Sequence, residues 1–281
     1  MLARPLPDLA AWTQYLQTAP MPVLPETADE LGLLAEAEIR HGNVDAHLIN
    51  EAISGDPLMT LQVLAHVARH RAQRQVTDVH TVTGAVVLMG IGPFFHAFAG
   101  VETVDERLQD QPAALARVRR EIRRAWCAAR LVTEFALQHS DTHAAALQMA
   151  ALLHNRVDLL LWCHAPALMT QVEAAQARQP ERARADIEHD LLHVDRIALD
   201  QALTQAWQLP ELLRRLVDPD DERARVLLQP QRRMLALAIT LADRLDRDPA
   251  SRYALEELEE LGRLLTLSPA ATARLVENVL D

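Results

Sequence analysis

Lysine is absent from this chain of 281 residues, and all 28 of its basic side chains are arginines. Aromatic residues make up only 4% of the chain, so a buried core has to be built from Leu, Ala, Val and Ile. Such a composition favours closely packed helices over a sheet sandwich. The two cysteines, Cys127 and Cys163, lack metal-ligand spacing and offer at most one disulfide bond, which is typical of a reduced cytoplasmic protein.

Several functional classes lack their sequence signals. No apolar run approaches the roughly 18 residues of a membrane span, and the first residues do not have the basic and apolar segments of a signal peptide. The net charge of -11 argues against a general nucleic-acid binder, because phosphate contacts need clustered cations. A Gly-rich phosphate loop and a nucleophile elbow are also missing. We therefore expect a cytoplasmic protein that binds neither nucleic acid nor membrane.

The chain carries clear signals for helix starts. Four dipeptides place a capping oxygen directly before a proline, which suits the unpaired amides of a first helical turn. They are Asp56-Pro57, Asp218-Pro219, Asp248-Pro249 and Ser268-Pro269. Apolar residues recur at helical spacing, for example along the stripe of Leu115, Val118, Ile122, Trp126 and Ala129, and no convincing strand alternation is present. These patterns predict an all-α fold.

The stretch Ala144–His154 is nearly all apolar, as expected of a central buried helix. The overlapping stretch Ala151–Leu161 places His154 and Asn155 in a leucine-rich setting. Taken alone, the pair is typical of buried polar side chains at the end of a core helix. Further segments stand in an ordered series around it: Met21–Pro25, Ile53–Leu58, Ala85–Ile91 and Leu203–Pro210. Their order and spacing resemble the HDOD family, whose members read LPxLP, IxxDPxL, AixxLG and LxxxWxLP. The resemblance runs from about residue 20 to about residue 210.

The resemblance implies a multi-helical fold in which an HD-like helical bundle packs against an N-terminal helical subdomain. The polar interval from Gly100 to Pro112 is the candidate boundary. It predicts an N-terminal subdomain at residues 1–100, and an HD-like subdomain that includes the C-terminal helices at residues 101–281.

The related HD-type phosphohydrolases bind a divalent metal through a His-Asp pair. The departures of this chain from that HD pattern are as informative as the matches. Asn155 replaces the usual aspartate, and a neutral amide is a poor ligand for a divalent metal. Arg196 replaces a family histidine. The stretches 123–127 and 216–219, where the family often has further histidines, contain none. His154, Asn155 and Asp243 are therefore predicted to be vestigial positions of a lost metal site. We expect no catalysis, bound metal or cofactor.

The resemblance also implies a bacterial signal-transduction role through protein–protein contact. The predicted function is a stand-alone adaptor whose partners act in trans, for example a response regulator or a cyclic-dinucleotide enzyme. Two alternatives stay open. One is a ligand-sensing domain that uses the emptied HD pocket, and the other is a residual metal-dependent phosphohydrolase.

Arginines are concentrated between residues 117 and 130. Arg117, Arg120 and Arg124 share one side of the predicted helix, whereas Arg119, Arg123 and Arg130 share another. The first side is a candidate docking strip for an acidic partner or a phosphorylated ligand, because guanidinium groups suit bidentate anion contacts. A solvated helix paired with local acids is the alternative.

Histidines occur in pairs four residues apart, a spacing at which two side chains on one helix can bind the same zinc ion. The pairs are His66/His70, His139/His143 and His189/His193. The last pair has the spacing of a zinc-protease helix, but Asp190 is shorter than the required glutamate and no third ligand is evident. Structural or surface roles are the expectation for all three pairs.

Overall fold

A computed structural model describes residues 1–71, 81–218, 220–248 and 256–280. The predicted all-α fold is confirmed, because the regular elements in these ranges are helices. The described residues also contain one isolated parallel β-bridge, between Val23 and Thr103. In chain order the helices are α1 Leu9–Thr18, α2 Pro25–His41, α3 Ala46–Ile53, α4 Pro57–Arg71, α5 Val82–Met89, α6 Ile91–Phe98, α7 Val104–Arg107, α8 Pro112–Gln138, α9 Ala144–Leu152, α10 Arg156–His164, α11 Pro166–Arg178, α12 Arg184–Leu192, α13 Arg196–Ala206, α14 Glu211–Val217, α15 Glu222–Leu227, α16 Gln229–Arg247, α17 Glu256–Leu265 and α18 Pro269–Leu280. Among the described residues, no helix combines the length and the apolar character needed to cross a membrane.

The helices form two compact units. Unit one comprises residues 1–121 and 155–209, and unit two comprises residues 122–154 and 210–281. This division differs from the predicted boundary near residue 100. Val104 and Leu108, inside the interval expected to be a linker, are fully buried in unit one, and Val104 donates a backbone hydrogen bond of 2.8 Å to Val23. The boundary near residue 100 was predicted from local polarity, whereas this division follows contacts between distant parts of the chain.

Asp56 shows how one predicted helix start builds part of unit one. Its carboxylate accepts hydrogen bonds from the amides of Leu58 and Met59 at the start of α4, at 2.9 and 3.0 Å. It also accepts one from the amide of Leu24 at 2.7 Å. Burial raises the pKa of Asp56, and these hydrogen bonds oppose the rise. The residue thus fastens the LPxLP-like segment to the DPxL-like segment. Ser268 likewise precedes α18, whereas Pro219 and Pro249 lie outside the described residues.

The core of unit one matches the composition of the chain. Its buried side chains are mostly Leu, Val, Ile and Ala, with Phe94 and Trp12 as large members. The indole of Trp12 on α1 donates to the backbone oxygen of Leu192 at 2.8 Å. Helix α1 packs on α13, and α4 packs on α10. The first helices of the chain and the HD-like helices therefore share one body.

Unit two is organised around α9, whose residues from Ala146 to Leu152 are buried with the exception of Gln148. The helix contacts α14 and α16, and α16 in turn contacts α17. This confirms the expectation of a central buried helix, since a helix that is apolar on all sides needs neighbours on all sides.

Candidate functional site

The HD-like pair lies in the short break between α9 and α10 rather than within one helix. Asn155 is the N-cap residue of α10, is 5% exposed, and makes no side-chain cap hydrogen bond. Its Nδ2 group instead donates to the backbone oxygen of Glu121 at 2.9 Å and to Oε2 of the same residue at 3.1 Å. In unit two, Nδ1 of His154 lies 2.7 Å from the backbone oxygen of Ala151.

Glu121 is also the start of a chain of ion pairs in unit one. Its Oε1 atom lies 3.0 Å from Arg117, which in turn reaches Glu173 at 3.5 Å. Arg184 bridges Glu173 and Glu188, at 3.0 and 2.6 Å. The carboxylate neighbours raise the pKa of Arg184 against the opposing effect of burial.

Arg196, at the position of a family histidine, continues the same chain. Its guanidinium binds Asp158 at 2.6 Å and Glu188 at 3.4 Å. The nearby charge of Asp158 is the main cause that raises the pKa of Arg196. The residue that departs from the family pattern is thus held by two acidic side chains.

Arg156 directly follows Asn155 and is almost completely buried, with 1% of its surface exposed. Its Nη2 group binds Asp200 at 2.6 Å and donates to Oγ1 of Thr204 at 2.7 Å. Burial lowers the pKa of Arg156 and raises that of Asp200, and in both cases the attraction between the two opposes the shift. Burial of a charged side chain costs free energy, and loss of either Arg156 or Asp200 would leave the other as an uncompensated buried charge.

We call this set the Arg–carboxylate network. Its members are Arg117, Arg156, Arg184 and Arg196 with Glu121, Asp158, Glu173, Glu188 and Asp200. The carboxylates point at guanidinium groups, which have no lone pair to offer a metal. In the parts of the chain that the structure describes, no three His, Cys, Asp or Glu side chains are grouped so that they could hold an ion.

Asp243, the third predicted vestigial position, belongs to unit two. Its carboxylate forms ion pairs with Arg124 and with Arg247 of its own helix. The structure therefore assigns it to a pair of arginines within that unit, as it assigns Asn155 to Glu121 within unit one.

The predicted docking strip on α8 is largely occupied by intramolecular pairs. Side chains of Arg117 and Arg124 are only 25% and 17% exposed, and both are ion-paired; Arg120 is half-buried. On the other side of the helix, Arg119 pairs with Asp105, whereas Arg123 is exposed. The side named as the candidate docking strip therefore faces acidic neighbours at Arg117 and Arg124.

Among the described side chains, the histidines of these pairs belong to no group that could hold a metal ion. His139 and His143 both lie beside Asp141, at 4.0 and 2.9 Å. His193 is the C-cap of α12 with a φ of 59°, so it does not continue the helix from His189. His66 packs edge-on against Phe98, and the side chain of His70 lies outside the described residues.

Sequence reasoning missed the acidic half of the network. Asp158 lies in the stretch Ala151–Leu161 without a role assigned to it, and Glu121, Glu173 and Asp200 stand outside the quoted segments. One signal was available: Glu121 follows Arg117 by four residues, which is the spacing of an ion pair on a helix. The other pairs join residues far apart in sequence.

Fold and site together define an all-helical protein whose polar centre in unit one is built from arginine–carboxylate pairs. Residues 21–222 match the family model of the HDOD domain, so the chain belongs to the HDOD family. Comparison with curated protein sequences gives no match.

Solved structures share the fold. The MmoQ response regulator from Methylococcus capsulatus strain Bath is similar with a TM-score of 0.67 and 21% identity, over 92% of this chain and 98% of that one. A virulence factor from Campylobacter jejuni subsp. jejuni gives a TM-score of 0.63 and 16% identity, over 97% and 98%. At these identities the likeness concerns the fold alone.

Proposed function

We propose that this HDOD protein is a non-catalytic adaptor that acts in signal transduction by binding other proteins. The Arg–carboxylate network carries the proposal. Asn155 and Arg196 stand where the HD pattern has an aspartate and a histidine, and Glu121 and Asp158 bind them. A divalent ion placed among these groups would meet fixed positive charges and carboxylates that already have partners.

The fold comparison supports the signalling context. One protein of the same fold is described as a response regulator. We propose partners of that kind, a response regulator or a cyclic-dinucleotide enzyme, that act in trans on this chain.

Metal analysis combined with turnover assays tests the absence of catalysis. Protein purified without chelator should hold iron, manganese and zinc far below one ion per chain. It should not hydrolyse bis-p-nitrophenyl phosphate or nucleotides when these metals are added. The variant Asn155→Asp should behave in the same way, because it restores one ligand while Arg196 and its partners remain. Stoichiometric metal together with metal-dependent turnover in the parent would show a phosphohydrolase.

Ligand sensing is a second candidate, favoured by a cleft of about 510 Å³ in unit two. Three arginines line it, and Arg215 lies 3.4 Å from Asp221. Three carboxylates, of Glu211, Asp218 and Asp221, line the same cleft, and no ion pair is recorded for the side chains of Arg214 and Arg223 within the described ranges. A ligand that binds only the folded state raises the melting temperature. A thermal-shift series with inorganic phosphate, ATP and a cyclic dinucleotide therefore separates this candidate from a pure adaptor.

A further inference from the structure

The exposed side of α8 in unit two has an unusual composition. Arg123, Trp126, Arg130, Glu134 and Leu137 fall within a sector of roughly 80° on the helix. Trp126 is 46% exposed and Leu137 is 61% exposed, although the opposite side of the helix is buried at Leu131, Val132 and Phe135. We call Arg123, Trp126, Arg130 and Leu137 the α8 face.

Two side chains of this face contact each other at the surface. The guanidinium of Arg130 lies over the indole of Trp126, 4.7 Å from the ring centroid. This contact holds both side chains at the surface while the N–H groups of Arg130 stay able to bind an anion. Arg123, one turn earlier, has no side-chain partner in the part of the chain that the structure describes.

Trp126 was expected on the core-facing stripe with Val118, Ile122 and Ala129. Those three are buried, but Trp126 lies at the edge of the stripe, beside the arginines. A large exposed aromatic ring is uncommon, and tryptophan with arginine is the combination enriched at the energetic centres of protein interfaces.

We propose that the α8 face is a docking surface for an acidic segment of a partner protein, a segment with carboxylates beside at least one apolar side chain. The inference rests on the adaptor function proposed above and names the chemistry of its partner. Charge complementarity points to the occupant. Arg123 and Arg130 flank the ring against one carboxylate, Glu134, so this sector of the helix keeps a net positive charge on a protein of net charge -11. Trp126 and Leu137 supply the apolar contact.

Trp126 provides its own reporter. The other tryptophans, Trp12, Trp162 and Trp207, are 4% exposed or less, so acrylamide quenches mainly the emission of Trp126. The probe is a synthetic 14-residue peptide with alternating glutamates and leucines, compared with a peptide in which glutamine replaces every glutamate. The acidic peptide should protect Trp126 from acrylamide with saturable binding, which weakens at high salt. The glutamine peptide should bind at least about tenfold more weakly.

Variants locate the site. Arg123→Glu/Arg130→Glu and Trp126→Ala should each weaken binding of the fluorescein-labelled acidic peptide by about tenfold or more. The matched control is Arg263→Glu/Arg274→Glu, because these exposed arginines each bond to a carbonyl of their own helix. The control should bind like the parent, and circular dichroism should show all variants folded.

Several results would overturn the proposal. They are no peptide binding up to 1 mM, equal binding of both peptides, equal loss in the control variant, or binding of duplex DNA or phosphatidylglycerol vesicles but not of the acidic peptide. These outcomes are distinct from failure of the adaptor function, which metal-dependent turnover would show whether or not the peptide binds.

Discussion

Asn155 and Glu121 lie 34 residues apart in sequence and share two hydrogen bonds inside unit one, at 2.9 and 3.1 Å. An asparagine can donate to a carboxylate, whereas an aspartate at the same place would face it as a second anion. The amide at position 155 is therefore suited to the glutamate at position 121. The missing HD aspartate is part of a matched pair rather than an isolated loss.

The variant Asn155→Asp should lower the free energy of unfolding by about 2 kcal/mol at pH 7, because it buries two like charges in contact. Repulsion raises the pKa of the introduced carboxyl in the folded state. The loss should therefore be greatest at neutral pH and should shrink as the pH falls toward 4. Urea denaturation of parent and variant at pH 7 and pH 5 measures this difference.

The double variant Asn155→Asp/Glu121→Gln is the control, since the new carboxylate then faces an amide. It should recover at least half of the lost stability. If the double variant is less stable by the full sum of the two single changes, the proposed contact does not govern position 155.

Arginines on the two sides of α8 should respond differently to charge reversal. Exposed arginines contribute little to stability, so charge reversal on a solvated strip would leave the melting temperature nearly unchanged. The structure predicts otherwise for Arg117, because a glutamate there would stand beside Glu121 and Glu173. We expect Arg117→Glu to cost about 2 kcal/mol, or roughly 4–8 °C in melting temperature. Calorimetry of Arg117→Glu and of the exposed Arg123→Glu, which should shift by about 1 °C or less, tests the contrast.

The sequence predicted those features that depend on local chemistry. Helix α4 begins where Asp56 precedes Pro57, and the apolar stretch before His154 forms the buried helix α9. Caps and periodicity act over a few residues, so a single sequence contains them. Arg196 and Asp158, in contrast, are 38 residues apart, and no local pattern relates them. For the same reason the choice between the two arginine sides of α8 required knowledge of which neighbours are acidic.

Removal of the buried cation Arg156 should be more damaging than removal of an exposed one. Arg156→Met leaves Asp200 without its ion-pair partner and Thr204 without its donor, at an expected cost of about 3 kcal/mol at pH 7. Burial already raises the pKa of Asp200, and Arg156 opposes that rise. Without Arg156 the pKa should rise further, so acidification that protonates Asp200 should reduce the deficit.

Two comparisons make the Arg156 measurement specific. Arg156→Met/Asp200→Asn removes both charges and should recover about half of the loss. Arg40→Met removes one member of an exposed pair with Glu36 on α2, and it should cost about 0.5 kcal/mol or less. Equal losses in the free energy of unfolding for the Arg156 and Arg40 changes would show that the buried pair stabilises the protein no more than the exposed pair does.

His164 should make the stability of the protein depend on mildly acidic pH. Its ring is buried, with Nδ1 lying 3.5 Å from both Tyr15 and Arg107. Burial, followed by the charges of Arg107 and the N-terminal amine, lowers the pKa of His164 to about 4. The unfolded chain, with an ordinary histidine pKa near 6.5, binds a proton between these values that the folded chain does not. Stability is therefore fully present above about pH 6.5 and falls by up to roughly 3 kcal/mol as the pH drops to 4.

The variant His164→Gln removes this titration, so its free energy of unfolding should depend less on pH between 6.5 and 4 than that of the parent. The control His96→Gln replaces an exposed histidine and should keep the slope of the parent. Urea denaturation at pH 7, 6, 5 and 4.5 gives the slope for each protein, since each proton bound only by the unfolded state contributes about 1.4 kcal/mol per pH unit. Parallel slopes for the parent and His164→Gln would mean that His164 is protonated as readily in the folded protein as in the unfolded chain, and that its burial does not keep it neutral.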